Sequence, residues 1–214
     1  IRYDNQKLVS NYDSEEKNIL RSAATTLHEA IKKAVSLSLD IDYNEINGGW
    51  RMRLEESGEV HIEMFFYDNL TSGAGYSSLI GEEGVLDDVF SRTKEILIGC
   101  TCSRSCRNCL DNFYNQRNHD IFDRTLAAQL LEYALNKKYP EDYSKEKQEI
   151  YLRPLKKLIR ESKGISAKDN IVFEVIPSLR KRERNEKGKL YLNPYNLSDW
   201  LSNAFMEYLG KIDE

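Results

Sequence analysis

The sequence predicts an α+β protein, with an antiparallel or mixed sheet, flanking helices and a four-cysteine loop between two of the helices. Three patterns support this class. Apolar residues recur at helical spacing from residue 19 to 35, and they alternate with polar residues from 50 to 67. All four cysteines of the chain fall within residues 100–109. The chain of 214 residues is long enough to bury a core, and 31% of its residues are charged.

The first predicted helix begins near Asp13, which can cap it, with Glu16 as the capping-box partner. Its apolar stripe runs from Ile19 to Val35 with the spacing of one buried helix face. His28 lies beside this stripe, and we interpret it as a structural residue rather than a ligand.

A β-hairpin follows, with strands over 50–54 and 60–67 joined by a Gly-containing turn. We expect 39–46 to add a further strand to its sheet. Phe65 and Tyr67 make the second strand apolar on both faces, which predicts a strand covered on both sides.

A glycine loop, with Gly73 and Gly75, separates this strand from a helix predicted to run to about Leu97. Such a loop can present backbone N–H groups to a phosphate, but two glycines are a weak signal, and we favour a tight turn where the backbone packs closely. Asp68 at the strand end is interpreted as a residue that hydrogen-bonds its own loop; the alternative is an acid or a metal ligand.

The cysteines follow the pattern Cys-x-Cys-x3-Cys-x2-Cys, with thiols at Cys100, Cys102, Cys106 and Cys109. Four thiolates this close can converge on one tetrahedral Zn2+ ion, with sulfur–zinc distances of about 2.3 Å. The alternatives are an iron–sulfur cluster and a pair of disulfides, the latter typical of short secreted chains. The pattern therefore favours a four-cysteine zinc-binding loop between helices.

Charge is unevenly distributed along the chain. The net charge is −4, but residues 1–99 carry −8 and residues 100–214 carry +4. Arg104 and Arg107 in the cysteine loop can offset the formal charge of a zinc–tetrathiolate centre or contact a polyanion such as DNA. The most basic segment supplies further candidate phosphate contacts, although it is also typical of a solvated hairpin tip. Those candidates are Arg180, Lys181, Arg182, Arg184 and Lys187.

The second half predicts a helix from Asp120 to Lys138, with His119 and Asp123 spaced to form a His–carboxylate pair. A charged helix over 143–162, interrupted near Pro154, precedes strands at 171–176 and 190–192 that read as a hairpin around the basic loop. We therefore expect a first domain over 1–138 and a helical and hairpin extension over 139–214 packed on it.

Several classes are disfavoured by missing patterns. The sequence contains no phosphate-binding loop of the Gly-x4-Gly-Lys-[Ser/Thr] type, no Asp-Glu-x-[His/Asp] box and no His-Glu-x-x-His motif. It contains no apolar run of membrane-spanning length and no signal peptide, so we expect a cytoplasmic location. Because the first residue is not Met, we expect a piece of a longer chain.

Taken in order, the motifs of residues 20–135 resemble the MrfA-like zinc-binding domain. The resemblance rests on Tyr67-Asp68, Gly73-Ala74-Gly75-Tyr76, the four cysteines followed by Leu110, Asn115-Gln116-x2-His119 and Asp123-Arg124-x-Leu126-Ala127. Ser72 stands where the family usually has the first glycine of Gly-Gly-Ala-Gly. The domain occurs at the C-terminus of superfamily-two DNA helicases and in the DrmB subunit of the DISARM phage-defence system. Residues 140–214 resemble the C-terminal extension of DrmB-like proteins.

The resemblance implies that the four cysteines bind zinc and that the chain is a non-catalytic accessory domain of a bacterial helicase system, acting in phage defence or DNA repair. It implies DNA and an ATP-dependent helicase motor as partners. Two alternatives stay open. One is a metal-dependent nuclease or hydrolase that uses Asp68, Glu63, His119 and Asp123; the other is a purely protein-binding scaffold.

Overall fold

The chain divides into two compact units, Ile1–Lys138 and Tyr139–Glu214. The computed structural model describes residues 2–3, 14–54, 60–69, 75–138, 140–162, 171–179, 188–198 and 201–213. Asp13, Gly73 and the basic segment 180–187 lie outside these residues, as does the side chain of Glu16.

The first unit is built around a long helix, α1 (Ser14–Ser38). Its predicted apolar stripe is buried throughout, because a helical repeat places those side chains on one face. Helix α1 packs against the hairpin and against two later helices, α3 (Val85–Ile98) and α4 (Arg124–Asn136). The stripe consists of Ile19, Leu20, Ala23, Ala24, Leu27, Ile31, Ala34 and Val35.

The sheet of this unit is antiparallel. Strands β2 (Ile46–Leu54) and β3 (Val60–Asp68) form the predicted hairpin, with Trp50 opposite Met64. The third strand is β1 (Arg2–Tyr3), which pairs with β3 to give the order β1-β3-β2.

The prediction of a strand over 39–46 was wrong. The backbone N–H of Leu39 donates to Val35 O, and that of Ile41 donates to Ser36 O, so both groups close the end of α1. Asp40 between them has a φ of 52°. These N–H groups are therefore unavailable to a sheet, and β2 begins only at Ile46.

The hairpin lies very close to α1 at Gly48. A Cβ there would lie 2.3 Å from Phe65 O and 2.8 Å from His28 Nε2, so only glycine fits. His28 is buried and stacks on Phe66 with ring centroids 5.0 Å apart, which agrees with its structural interpretation. The expectation of cover on both sheet faces was wrong, since Phe65 is 52% exposed and Tyr67 is 47% exposed.

Beyond the sheet, the helix predicted to run to Leu97 is divided in two. A short helix, α2 (Tyr76–Leu79), is separated from α3 by a turn that ends at Gly84, whose φ is 85°. After the cysteine loop comes a 3-10 helix, Phe113–Asn118. Helix α4 begins later than predicted because Asp123 caps it.

The second unit combines α5 (Lys145–Glu161), β4 (Val172–Val175), β5 (Lys189–Leu192), α6 (Pro194–Ser198) and α7 (Leu201–Asp213). Strands β4 and β5 pair in parallel, which corrects the predicted hairpin. Residues 176–188 are long enough to make the crossover that parallel pairing needs.

Helix α5 continues through Pro154, which corrects the predicted interruption. Proline removes one backbone hydrogen bond, but its neighbours Leu152 and Leu155 are buried and hold the helix on the core of this unit. Across the described ranges, no helix has both the length and the apolar character needed to cross a membrane.

Candidate metal centre

The four cysteine sulfurs converge in the loop that joins α3 to the 3-10 helix. All four Sγ atoms lie within 4.8 Å of one another. Individual separations are 3.6 Å between Cys100 and Cys106, 3.7 Å between Cys102 and Cys109, and 3.8 Å between Cys106 and Cys109. Among the described residues, this is the group of three or more His, Cys, Asp or Glu side chains positioned to hold a metal ion.

These separations fit one tetrahedral ion. Four bonds of about 2.3 Å at tetrahedral angles place the sulfurs about 3.8 Å apart, as observed here. All four cysteines are free, so the geometry does not support the disulfide alternative. An iron–sulfur cluster inserts several atoms between its cysteine ligands and therefore holds them further apart. The donor set thus suits a single soft-ligand cation such as Zn2+.

The turn between Cys106 and Cys109 provides the tight spacing. Cys106 O accepts hydrogen bonds of 3.0 Å from three backbone N–H groups, those of Cys109, Leu110 and Asp111. The N–H of Cys106 points back to Cys109 Sγ at 3.3 Å. Such N–H···S bonds stabilise negative charge on sulfur, so the turn favours the thiolate form that a metal requires.

Arg124 clamps the other half of the loop. Its Nε and Nη2 atoms donate to Cys102 O at 2.9 and 2.6 Å, and its Nη1 atom donates to Leu97 O at 3.0 Å. Lys33 of α1 donates to Cys109 O. Two cations therefore lie against a loop whose four thiolates, around one divalent ion, would sum to a formal charge of about −2. They fix the loop backbone and offset that charge.

The thiols have dissimilar acidities without a cation. Burial raises the pKa of Cys109 to about 12 and also raises the pKa of Cys102. A hydrogen bond from the backbone of Cys102 lowers the pKa of Cys100 to about 7. At neutral pH the four thiols are therefore not all ionised, and a bound cation must displace protons from them.

A buried polar cluster connects the loop exit to α1. Asn115 is 5% exposed, and its Nδ2 atom lies 3.1 Å from Glu29 Oε2 and 3.0 Å from Leu110 O. Tyr43 donates to the same Glu29 oxygen. Burial opposes ionisation of Glu29, but hydrogen bonds from His28, Tyr43 and Asn115 outweigh it and lower the pKa of this carboxyl. The same burial raises the pKa of Tyr43 above its ordinary value.

The two arginines of the loop occupy different environments. Arg104 donates to Phe122 O at 3.2 Å and to Asp120 O at 3.1 Å, so its guanidinium binds the segment before α4. Arg107 is exposed. The other basic candidates, 180–187, lie outside the described residues.

Each residue of the enzymatic alternative has a local structural contact. Asp68 accepts from Gly75 N at 2.6 Å and Ser77 N at 2.7 Å, and these backbone bonds, that of Ser77 foremost, lower its pKa. Glu63 is paired with Arg51, which lowers the pKa of that carboxyl.

The other two members lie beyond the cysteine loop. His119 Nε2 lies 2.8 Å from Asn115 Oδ1. Asp123 caps α4 by accepting from Thr125 N and Leu126 N. Across the described part of the chain, none of the four residues belongs to a group that could hold a metal ion.

Sequence reasoning missed the roles of Arg124, Lys33 and Asn115. Two of them lie in motifs that it singled out, but a hydrogen bond to a distant carbonyl leaves no periodic trace in a sequence. A cation on the buried face of a helix is the available signal: Lys33 lies one helical turn after the buried Ala30.

This arrangement defines a class: a small α+β domain in which a four-cysteine loop joins two helices packed on a third. Residues 27–110, which include all four cysteines, match the family model described as the MrfA Zn-binding domain. The resemblance seen in the sequence is confirmed over these residues. The cofactor is zinc, for which the clustered cysteines supply suitable ligand atoms.

The chain is also similar to the Druantia protein DruE of Escherichia coli strain UMEA 4076-1. The two are 39% identical over 117 residues, which is 53% of this chain and 6% of DruE. The chain thus spans a small part of this relative's length. No solved structure matches the chain.

Proposed function

We propose that Cys100, Cys102, Cys106 and Cys109 hold one structural Zn2+ ion in a non-catalytic domain of a phage-defence protein. The domain engages DNA and docks onto an ATP-dependent helicase motor. The observation that carries this proposal is the cluster of four sulfurs at tetrahedral spacing within a segment that matches the MrfA Zn-binding domain.

A structural role for zinc follows from the donor set. A catalytic zinc keeps one position for water or substrate, whereas four thiolates fill the coordination shell. Zinc then links the end of α3 to the start of α4 through the loop that Arg124 clamps. Its contribution is to folding and to the shape of the surface around the loop.

Phage defence is favoured over DNA repair by the similarity to DruE, a Druantia protein of phage defence. The helicase motor is inferred from the family resemblance, because MrfA-like domains accompany such motors. Docking is tested by copurifying candidate helicase subunits with the full-length protein and, separately, with this chain. Zinc-dependent association of a helicase subunit supports the proposal. If no helicase subunit associates with either protein, the proposal is contradicted.

DNA engagement is supported by the positive charge of residues 100–214 and by exposed Arg107. Neutralising the basic segment should weaken DNA binding and flatten its salt dependence, because fewer phosphate contacts release fewer counterions. Unchanged affinity would count against that segment. The substitutions are Arg180→Gln, Lys181→Gln, Arg182→Gln, Arg184→Gln and Lys187→Gln, made together.

One assay separates the function classes. The purified chain is incubated with labelled single-stranded and duplex DNA, with and without Mg2+, and both binding and cleavage are measured. Binding without cleavage is expected. Cleavage that Asp68→Ala or His119→Ala abolishes would support the enzymatic alternative, and no binding even at low salt would support the protein-binding scaffold.

A further inference from the structure

Two aromatic side chains stand exposed beside the cysteine loop. Phe113 is 78% exposed and Tyr114 is 63% exposed, although large aromatic rings usually contribute to a protein core or an interface. Their ring centroids lie 5.7 Å apart in an edge-to-face arrangement, and Tyr114 also stacks on Tyr43 at 6.1 Å. Exposed, adjacent aromatic rings of this kind are typical of a binding surface.

The backbone that carries these rings is fixed. Asn112 caps the 3-10 helix by accepting from Tyr114 N at 2.8 Å, while Asn112 N donates to Asn115 Oδ1 at 2.9 Å. Asn115 is in turn bound to Glu29 in the buried cluster. The rings are therefore presented by a pre-ordered element, and little entropy is lost when a ligand stacks on them.

Phe113 lines an open cavity of about 550 Å3 that also has charged and polar walls. The exposed cation Arg107 lines this cavity. Arg117, in the 3-10 helix that carries Phe113, is also exposed. Asp111 is another wall residue, and its Oδ1 atom is buried with no hydrogen-bond partner among the described residues. The remaining walls are Asn112, Gln116 and His119.

We infer that this cavity and the adjacent pair of aromatic rings bind single-stranded DNA, with unpaired bases stacked on Phe113, which lines the cavity, and on its neighbour Tyr114. The inference deepens the proposed DNA engagement and rests on it. The guanidinium of Arg107 supplies phosphate attraction, and the carboxylate and amide walls offer partners for base edges. A duplex hides its base faces in its own stack, so exposed rings select for single strands.

The alternative occupant of this surface is a protein. Aromatic residues and arginine also form protein-binding hot spots. The cavity favours nucleic acid, because an exposed aromatic ring and an exposed cation line it together. Single-strand affinity that does not depend on the two rings would point to a protein ligand and overturn the inference.

The test compares Phe113→Ala/Tyr114→Ala with the parent chain and with Phe65→Ala/Tyr67→Ala. The control pair consists of aromatic residues exposed on β3. Fluorescence anisotropy is measured with labelled oligothymidine of about 20 nucleotides, longer than the ~4–16 nucleotides of typical single-strand sites, and with a duplex of equal length. Zinc content and melting temperature establish that each variant is folded, and Phe113→Ala alone serves if the double variant is not.

Base stacking on aromatic rings is worth about 1–3 kcal/mol per base, so single-strand affinity should fall at least about tenfold. Duplex affinity should change less than about twofold, and the control pair should leave both unchanged. Single-strand binding that survives the double substitution, or an equal loss for duplex, overturns the inference while DNA engagement stands. A parent chain that binds neither DNA overturns both.

Discussion

Asn115 Nδ2 lies 3.1 Å from Glu29 Oε2, which joins the exit of the cysteine loop to the middle of α1. Neither group is accessible enough to water to exchange this contact freely, since Glu29 is 9% and Asn115 is 5% exposed. The same asparagine donates a hydrogen bond from Nδ2 to Leu110 O and accepts one at Oδ1 from Asn112 N. The metal loop and the core helix therefore share one buried polar cluster.

The substitution Asn115→Ala should lower the free energy of unfolding by about 1–3 kcal/mol, because it leaves the Glu29 carboxylate and Leu110 O buried without the hydrogen bonds from Asn115 Nδ2. Chemical denaturation of the zinc-loaded chain measures the effect. Asn136→Ala is a matched control, because that asparagine donates to Glu132 at an exposed position and its loss should cost less than about 0.5 kcal/mol. Equal effects would show that the buried cluster adds nothing.

The lowered pKa of Glu29 predicts a specific pH dependence. Its pKa in the folded state lies below the ordinary value of 4.5, so the unfolded state binds the proton more readily. The stability that its ionisation contributes is complete above pH 4.5 and is lost as the pH falls through the folded-state pKa.

Comparison of the parent with Glu29→Gln isolates this contribution, because acid also releases zinc from both proteins. The difference in melting temperature should be largest near neutral pH and should shrink below about pH 4.5. A difference that stays constant down to about pH 3 would show that ionisation of Glu29 does not stabilise the fold.

Arg124→Lys should loosen the cysteine loop. Lysine has one nitrogen and cannot reproduce the fork that bonds both Cys102 O and Leu97 O. We expect faster transfer of zinc to a coloured chelator and a loss of about 1–3 kcal/mol in unfolding free energy. Arg92→Lys, which alters an exposed pair with Asp88, should change neither by more than a small amount. Identical transfer rates would exclude a clamping role for Arg124.

Gly48→Ala should destabilise the first unit by about 1–3 kcal/mol, because its Cβ would overlap Phe65 O of β3 and His28 Nε2 of α1 and force both neighbours to move. At Gly81 the nearest atom to an added Cβ is Ser78 O at 3.5 Å, an ordinary contact, so Gly81→Ala should be neutral or slightly stabilising. Thermal unfolding of both variants decides the matter. A neutral Gly48→Ala would contradict the close packing of β2 on α1.

The elements that periodicity predicts correctly are those with long, regular patterns. The stripe of α1 and the β2–β3 hairpin repeat about every 3.6 and every two residues, and the cysteine spacing restricts the thiols to one loop. Pairing between distant segments has no such signature. The short strand β1, the parallel pairing of β4 with β5 and the clamp made by Arg124 depend on tertiary contacts that no local pattern encodes.

Metal analysis of the purified chain tests the central claim most directly. Mass spectrometric elemental analysis should find about one zinc ion per chain, with little iron, after growth in medium that contains both metals. The Cys106→Ser variant should lose most of the zinc and unfold at a lower temperature. The Ser105→Ala variant, changed in the same loop, should keep the zinc content and the melting temperature of the parent. A chain that binds no zinc, or a Cys106→Ser variant with undiminished zinc and melting temperature, would contradict the four-cysteine centre.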